Sequence, residues 1–156
     1  MSAIARLSGA LMLLIAASAS QAQTTLPAMR AVPTVPTVRP LEALVKSVML
    51  SFNDANMTGN YAVFHARLSA PFRQQVSPER LRQNFSQFVE KSIDLDIVAA
   101  MQPIYDRAPM IDNDGRLLLK GYFATEPTRV NFEMDFIPAD GDWKLLRINV
   151  VLGPAP

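Results

Sequence analysis

The chain has 156 residues, with 15 Lys plus Arg against 14 Asp plus Glu, one His, one Trp and no Cys. This length allows one domain with a tail. The absence of Cys excludes disulfides, thiolate catalysis, Cys-ligated zinc and lipid attachment through an N-terminal Cys. A single His excludes a two-His metal site within one chain. The formal net charge of +1 argues against a nucleic acid or other polyanion as partner.

The N-terminus reads as an export signal. Arg6 is the only charge before Arg30, and the apolar stretch Leu7 to Ala19 leads into the small and polar run Ala-Ser-Ala-Ser-Gln-Ala. A positive start, a short apolar core and a small-residue site together describe a secretory signal peptide, here residues 1–22. The stretch is shorter than the roughly 20 apolar residues a transmembrane helix needs. Cleavage is expected after Ala22, with Ser20 and Ala22 as the small flanking residues, and Ala19 as the alternative. The mature chain then loses Arg6 and no acid, which leaves 14 basic and 14 acidic residues. The expected destination is the periplasm of a Gram-negative cell, or the medium otherwise, with no stable membrane insertion after cleavage.

Residues 23–40 form a proline-rich lead, QTTLPAMRAVPTVPTVRP. Proline lacks an N–H and restricts the residue before it, so this lead cannot propagate a helix or join a central strand. It predicts an extended, polyproline-like tether. The folded domain is then 41–152, followed by a tail at 153–156. Its 112 residues suffice for one cooperative core.

Helices come first. Leu41, Leu44, Val45, Val48, Met49, Phe52 and Ala55 follow helical spacing from Pro40, and Gly59 ends the run. Asn60 can cap a short second helix carrying Tyr61, Phe64, His65 and Leu68 on one face, broken by Ser-Ala-Pro at 69–71. Ser77 and Pro78 start a third, with Leu81, Phe85, Phe88 and Val89 as its apolar stripe. Within 92–102, Asp96 can cap a turn of helix over Ile97–Met101.

From Pro103 the period changes to two. Asp-Asn-Asp-Gly at 112–115 and Ala-Asp-Gly at 139–141 read as hairpin turns. Val130, Phe132, Met134 and Phe136 alternate with Arg129, Asn131, Glu133 and Asp135. The predicted core face is Leu117, Leu119, Phe123, Val130, Phe132, Met134, Phe136, Leu146, Ile148 and Val150, with Gly121 opposite Phe132. To keep Ile148 and Val150 inside, the last hairpin needs an odd-length loop through Pro138–Gly141, not a two-residue Asp140-Gly141 turn. The outer face then aligns Lys120, Glu133 and Arg147 in one row and Tyr122, Asn131 and Asn149 in the next. The expected fold is α+β, three N-terminal helices packed on a curved four-stranded antiparallel meander.

Six local strings carry a family resemblance: Phe52-Asn53-Asp54-Ala55, Thr58-Gly59-Asn60-Tyr61, Pro71-Phe72-Arg73, Gly121-Tyr122-Phe123-Ala124-Thr125-Glu126-Pro127, Val130-Asn131-Phe132 and Trp143-Lys144-Leu145-Leu146. With the element order, they make residues 41–152 resemble the nuclear transport factor 2-like superfamily, a cystatin-like cone, and an exported bacterial subgroup of it. The resemblance implies a cone whose interior is filled or holds an apolar small molecule. The strings are turns, a cap and core positions, so they imply no catalytic residue, and the fold hosts isomerases, dehydratases and non-catalytic binding modules alike. Related domains pair through the outer sheet face. Tyr122, Trp143, Leu145 and Val151 are expected to add apolar area there, which makes homodimerisation the expected self-association.

Candidate chemistry is sparse. His65 is the sole imidazole and shares a face with Tyr61; it reads as a pocket base or donor, or as a half-buried structural His. Tyr105, Asp106 and Arg107 lie on the first strand. One parity turns Tyr105 and Arg107 inward; the other turns Asp106 inward, where burial would raise its pKa and make it a base. His65 and Asp106 are therefore the catalytic candidates, and Tyr61, His65 and Tyr105 the ligand-binding candidates. Asp94 and Asp96 read as caps. Asp112-Asn113-Asp114-Gly115 has its Gly two positions too early for a calcium loop. There is no Gly-rich phosphate loop, Gly-x-Ser-x-Gly or His-Glu-x-x-His, so no cofactor and no metal is expected. The expected function is an exported, non-catalytic binding or interaction module. The alternative is a small isomerase-like or dehydratase-like enzyme acting on an apolar ligand.

Overall fold

The computed structural model describes residues 33–154. The expected signal peptide, its cleavage site and most of the proline-rich lead lie outside the described residues. The remainder is an α+β unit in which helices pack on one face of an antiparallel sheet.

Helix α1 spans Val38–Thr58 and buries Leu41, Val45, Met49, Phe52 and Ala55, the stripe its helical spacing dictates. It begins three residues before the expected boundary at 41. Gly59 closes it in the left-handed region at φ 65°, where glycine carries no side-chain penalty. The Asn60 side chain accepts from the Ala62 N–H at 3.0 Å and starts α2, Ala62–Ala66.

Two expectations for the helices need correction. Ser69-Ala-Pro71 does not merely break the chain. Ser69 Oγ accepts from the Phe72 N–H, and a further helix, α3, Ala70–Gln75, follows. Proline is disruptive inside a helix but not in the first turn, where its missing N–H has no partner to lose. Ser77 starts α4, Pro78–Asn84, as expected, but the run to Val89 is not one helix. The backbone leaves the helical region at Phe85, and α5 resumes over Ser86–Glu90. That break lets the Phe85 and Phe88 rings both meet Phe52 edge-on, at centroid distances of 4.7 and 5.3 Å. Edge-to-face pairing of this kind adds to burial. A 3-10 turn, Asp96–Ala100, completes the helical part.

The sheet runs β1 (Ile104–Tyr105), β3 (Leu117–Phe123), β4 (Arg129–Ala139) and β5 (Asp142–Gly153), with β2 (Met110–Ile111) also on β3. The first strand of the expected meander is thus two short pieces. Phe123 pairs with Val130, Gly121 with Phe132 and Leu119 with Met134, the register read from the alternation.

The β4–β5 hairpin departs from the sequence reading in an informative way. Ala139 pairs with Asp142, so the turn is the two-residue Asp140-Gly141, and both residues have positive φ, 54° and 82°. This is the geometry that matches strand twist in a tight hairpin. The burial pattern survives because Leu146 is an extra residue: Phe136 pairs with Leu145 and Asp135 with Arg147. A β-bulge converts the parity. Leu145 is therefore buried and Leu146 half-buried, the reverse of the expectation. Beyond the bulge, Phe132 pairs with Val150 and Met134 with Ile148. The outer rows shift by two: Lys120, Glu133 and Asn149 share one, Tyr122, Asn131 and Val151 the next, and Arg147 faces Asp135.

Leu117, Leu119, Phe123, Phe132, Met134 and Phe136 are at most 2% exposed beneath α1. The space between helices and sheet is filled by side chains. Gly121 is required by close approach: a Cβ there would sit 2.1 Å from the Ile104 carbonyl oxygen. The Tyr105 ring stands edge-on to Phe132, at 6.2 Å, beside that glycine.

Candidate functional site

The four residues singled out from sequence do not form one site. His65 is half-buried on α2, and its Nε2 lies 2.8 Å from the Val76 carbonyl oxygen. A carbonyl only accepts, so Nε2 carries the proton and is committed to joining α2 to the end of α3. Tyr61 is 2% exposed, and its hydroxyl donates to the Asn56 side-chain oxygen. Burial pushes the Tyr61 pKa up to about 12, against a smaller opposing pull from Arg82.

Strand parity is settled at Tyr105, whose ring joins the core. Its hydroxyl is buried with no hydrogen-bond partner, and burial, with the Glu42 charge as a second cause, raises its pKa. The strand ends at Tyr105, so Arg107 does not turn inward with it; both Asp106 and Arg107 are exposed. The Asp106 backbone N–H donates to the Lys120 carbonyl. Its side chain lines a shallow depression of ≈ 210 Å³ on the outer sheet face with Lys120, Asn131, Glu133 and Asn149. His65 therefore belongs to the helical layer and Asp106 to the opposite face of the sheet.

Asp94 and Asp96 are placed by one side chain. Asn53, buried in α1, donates to Asp94 at 3.0 Å and to Asp96 at 2.9 Å, and accepts from the Leu95 N–H at 2.9 Å. Asp94 also caps the Asp96 N–H at 2.8 Å. The pair is structural, as the spacing suggested.

A larger cleft than that depression lies elsewhere, between α1, the end of α2 and the tip of the β4–β5 hairpin. It holds ≈ 620 Å³, within the size range of small-molecule sites. Its apolar wall includes Leu44, Val48, Phe64, Phe136 and Trp143, and its rim carries Arg67, Asp142 and Lys144. None of Tyr61, His65, Tyr105 or Asp106 lines it. The cleft is closed at one end by a lone parallel bridge, Leu68 to Leu145, where the Ser69 N–H donates to the Leu145 carbonyl at 2.8 Å.

Sequence reasoning missed this site because it is built by long-range contact. The hairpin parity read from the sequence puts Trp143 and Leu145 on the outer face. The bulge turns Leu145 inward, and Trp143 packs against the core from the cleft side. The one available signal was Trp143 next to Lys144 at a hairpin end.

No family model, curated protein or solved structure matches the chain. Among the described residues, no three His, Asp or Glu side chains are grouped to hold a metal ion, and no helix is long and apolar enough to cross a membrane.

Proposed function

We propose that this protein is an exported, non-catalytic binding module of the nuclear transport factor 2-like type, and that it holds an apolar small molecule in the cleft between α1 and the β4–β5 tip. The observation that carries the binding reading is the pairing of a filled core with a cleft of ≈ 620 Å³ whose wall holds apolar and aromatic side chains. An apolar wall with a few polar rim groups is the usual composition of a ligand site. His65 and Asp106 lie on different layers, which favours binding over acid–base chemistry by that pair. The export reading is supported by Arg6, the apolar run after it and the small residues before Gln23. The family reading is supported by the six local strings and the order of helices before a meander.

The test is an unbiased ligand screen by thermal shift on the mature chain, repeated with Ala43→Trp. Ala43 is exposed on α1 and lines the cleft, so a large side chain there fills the site without entering the core. A genuine ligand at a hundredfold excess over its dissociation constant stabilises the wild type by about 2.7 kcal/mol and fails to shift Ala43→Trp. A ligand that stabilises both equally binds elsewhere and refutes the cleft reading. For export, mass spectrometry should find Gln23 at the mature N-terminus; a membrane-bound form retaining Met1 would refute it.

A further inference from the structure

The rim of the cleft carries charge that the fold does not use. The Arg67 side chain makes no ion pair or hydrogen bond among the described residues, and the residue is exposed at the end of α2. Lys144 has one ionic contact, with Asp142 at 3.5 Å, and Asp142 is 74% exposed. Such a long, solvated pair holds its partners weakly. Arg67 and Lys144 are the residues immediately before Leu68 and Leu145, the two ends of the parallel bridge. The bridge thus brings both cations to one rim of one apolar cleft.

We propose that the ligand of this cleft is an amphiphile with a single carboxylate, its chain against Leu44, Val48 and Trp143 and its head group between Arg67 and Lys144. This rests on the cleft reading above and specifies its ligand. Two cations and one carboxylate at the rim leave a local charge of +1, which one monoanion neutralises. A carboxylate is also the group that an arginine fork holds by two parallel hydrogen bonds. A wholly apolar ligand would leave this net charge of +1 uncompensated, and a dianion would exceed it.

The experiment measures binding of laurate and of dodecanol, which share one chain length and differ in head charge. Both are titrated below micelle formation against the mature wild type, Arg67→Ala with Lys144→Ala, and Ala43→Trp. The expected result is that laurate binds the wild type roughly tenfold or more tighter than dodecanol, the scale of one charge-assisted contact. The double variant should bind both equally, at the dodecanol level, and Ala43→Trp should bind neither. Equal affinity of the wild type for the two overturns the head-group assignment while leaving the cleft reading intact. A laurate preference that survives in the double variant overturns the roles of Arg67 and Lys144. If neither compound binds, or Ala43→Trp binds as well as the wild type, the cleft reading falls with it. Both substituted cations are solvent-facing, and a matching far-ultraviolet spectrum of the double variant confirms that its fold is kept.

Discussion

Asn53, within α1, holds Asp94 at 3.0 Å and ties the Asp94–Asp96 loop to that helix. All the hydrogen-bonding capacity of its amide that the Asp94–Asp96 loop can use is engaged: two carboxylates accept from its nitrogen and the Leu95 N–H donates to its oxygen. Asn53→Ala leaves the Leu95 N–H unpaired in the interior and should cost about 1–3 kcal/mol in denaturant unfolding. The carboxyl of Asp94 is held below its ordinary value of 3.8 by the Asp96 backbone N–H first and by Asn53 second. A depressed carboxylate contributes stability that is present above pH 3.8 and is lost as pH falls through the folded value. Asn53→Ala should therefore flatten the acid limb of the stability curve. Asn53→Asp should do the opposite of a conservative change: it sets three carboxylates together, and its deficit should shrink on acidification. A stability curve for Asn53→Ala parallel to wild type below pH 4 would contradict this.

Gly121→Ala should detach β1. The added Cβ meets backbone, the Ile104 carbonyl oxygen, and backbone cannot rotate away. A cost of about 1–3 kcal/mol is expected for such overpacking, with faster amide exchange at Asp106, whose N–H bonds to Lys120 beside that glycine. Unchanged exchange there would mean that β1 shifts without releasing its ladder. By contrast, Phe132→Asp, at a ring 1% exposed, should abolish cooperative unfolding outright, because it buries an unpaired charge.

The bulge gives a sharper test of register. Deleting Leu146 removes the extra residue and leaves Leu145 opposite Phe136 and Arg147 opposite Asp135, so both faces keep their residues. Deleting Asn149 instead brings Val151 opposite Phe132 in place of Val150, but turns Leu152 off the core face and sets Gly153 opposite Val130, and should cost on the order of 2 kcal/mol for the lost leucine. Thermal melts of the two deletions should rank accordingly. Gly141→Ala, at φ 82°, should cost about 1–2 kcal/mol. Equal melting of the two deletion variants would mean that burial does not set the pairing.

The outer sheet face is proposed to meet a second copy of the chain. Tyr122 and Val151 flank Asn131 in one row, and Val151 is 45% exposed. Sedimentation of the mature chain should show a concentration-dependent dimer, and Val151→Lys should weaken it at least tenfold in concentration, or about 1.4 kcal/mol. A monomer at every concentration removes this reading.

How much was legible varies by the range of the contact. The α1 stripe, its Gly59 stop, the Ser77 cap and the Phe132 face all follow from neighbours along the chain, and they stand as read; Asn60 sits one residue before the cap position of α2, which Tyr61 occupies. Phe85 breaks a helix because two rings converge on Phe52, a residue more than thirty positions earlier, and no local pattern contains that. The two-residue turn at Asp140-Gly141 was discarded because it conflicted with the burial of Ile148, and the bulge that reconciles them leaves no mark in the alternation. The cleft was invisible for the same reason: Arg67 and Lys144 are 77 positions apart and share a rim only through the bridge between their neighbours.

The hairpin tip has one more property. β3 ends its pairing at Phe136, so Ile137–Ala139 and Asp142–Lys144 form a two-stranded ribbon that overhangs the sheet. A ribbon of two strands is marginal by itself, and the Leu68–Leu145 bridge with the Ser69 hydrogen bond ties its base to the helices. Local opening follows the units with fewest supports, and here the Trp143 ring, packed against the core, is what joins the ribbon to the rest of the fold besides that bridge. One wall of the cleft therefore rests on a backbone bridge and one indole ring, and the residues that anchor that wall are the same ones that line it.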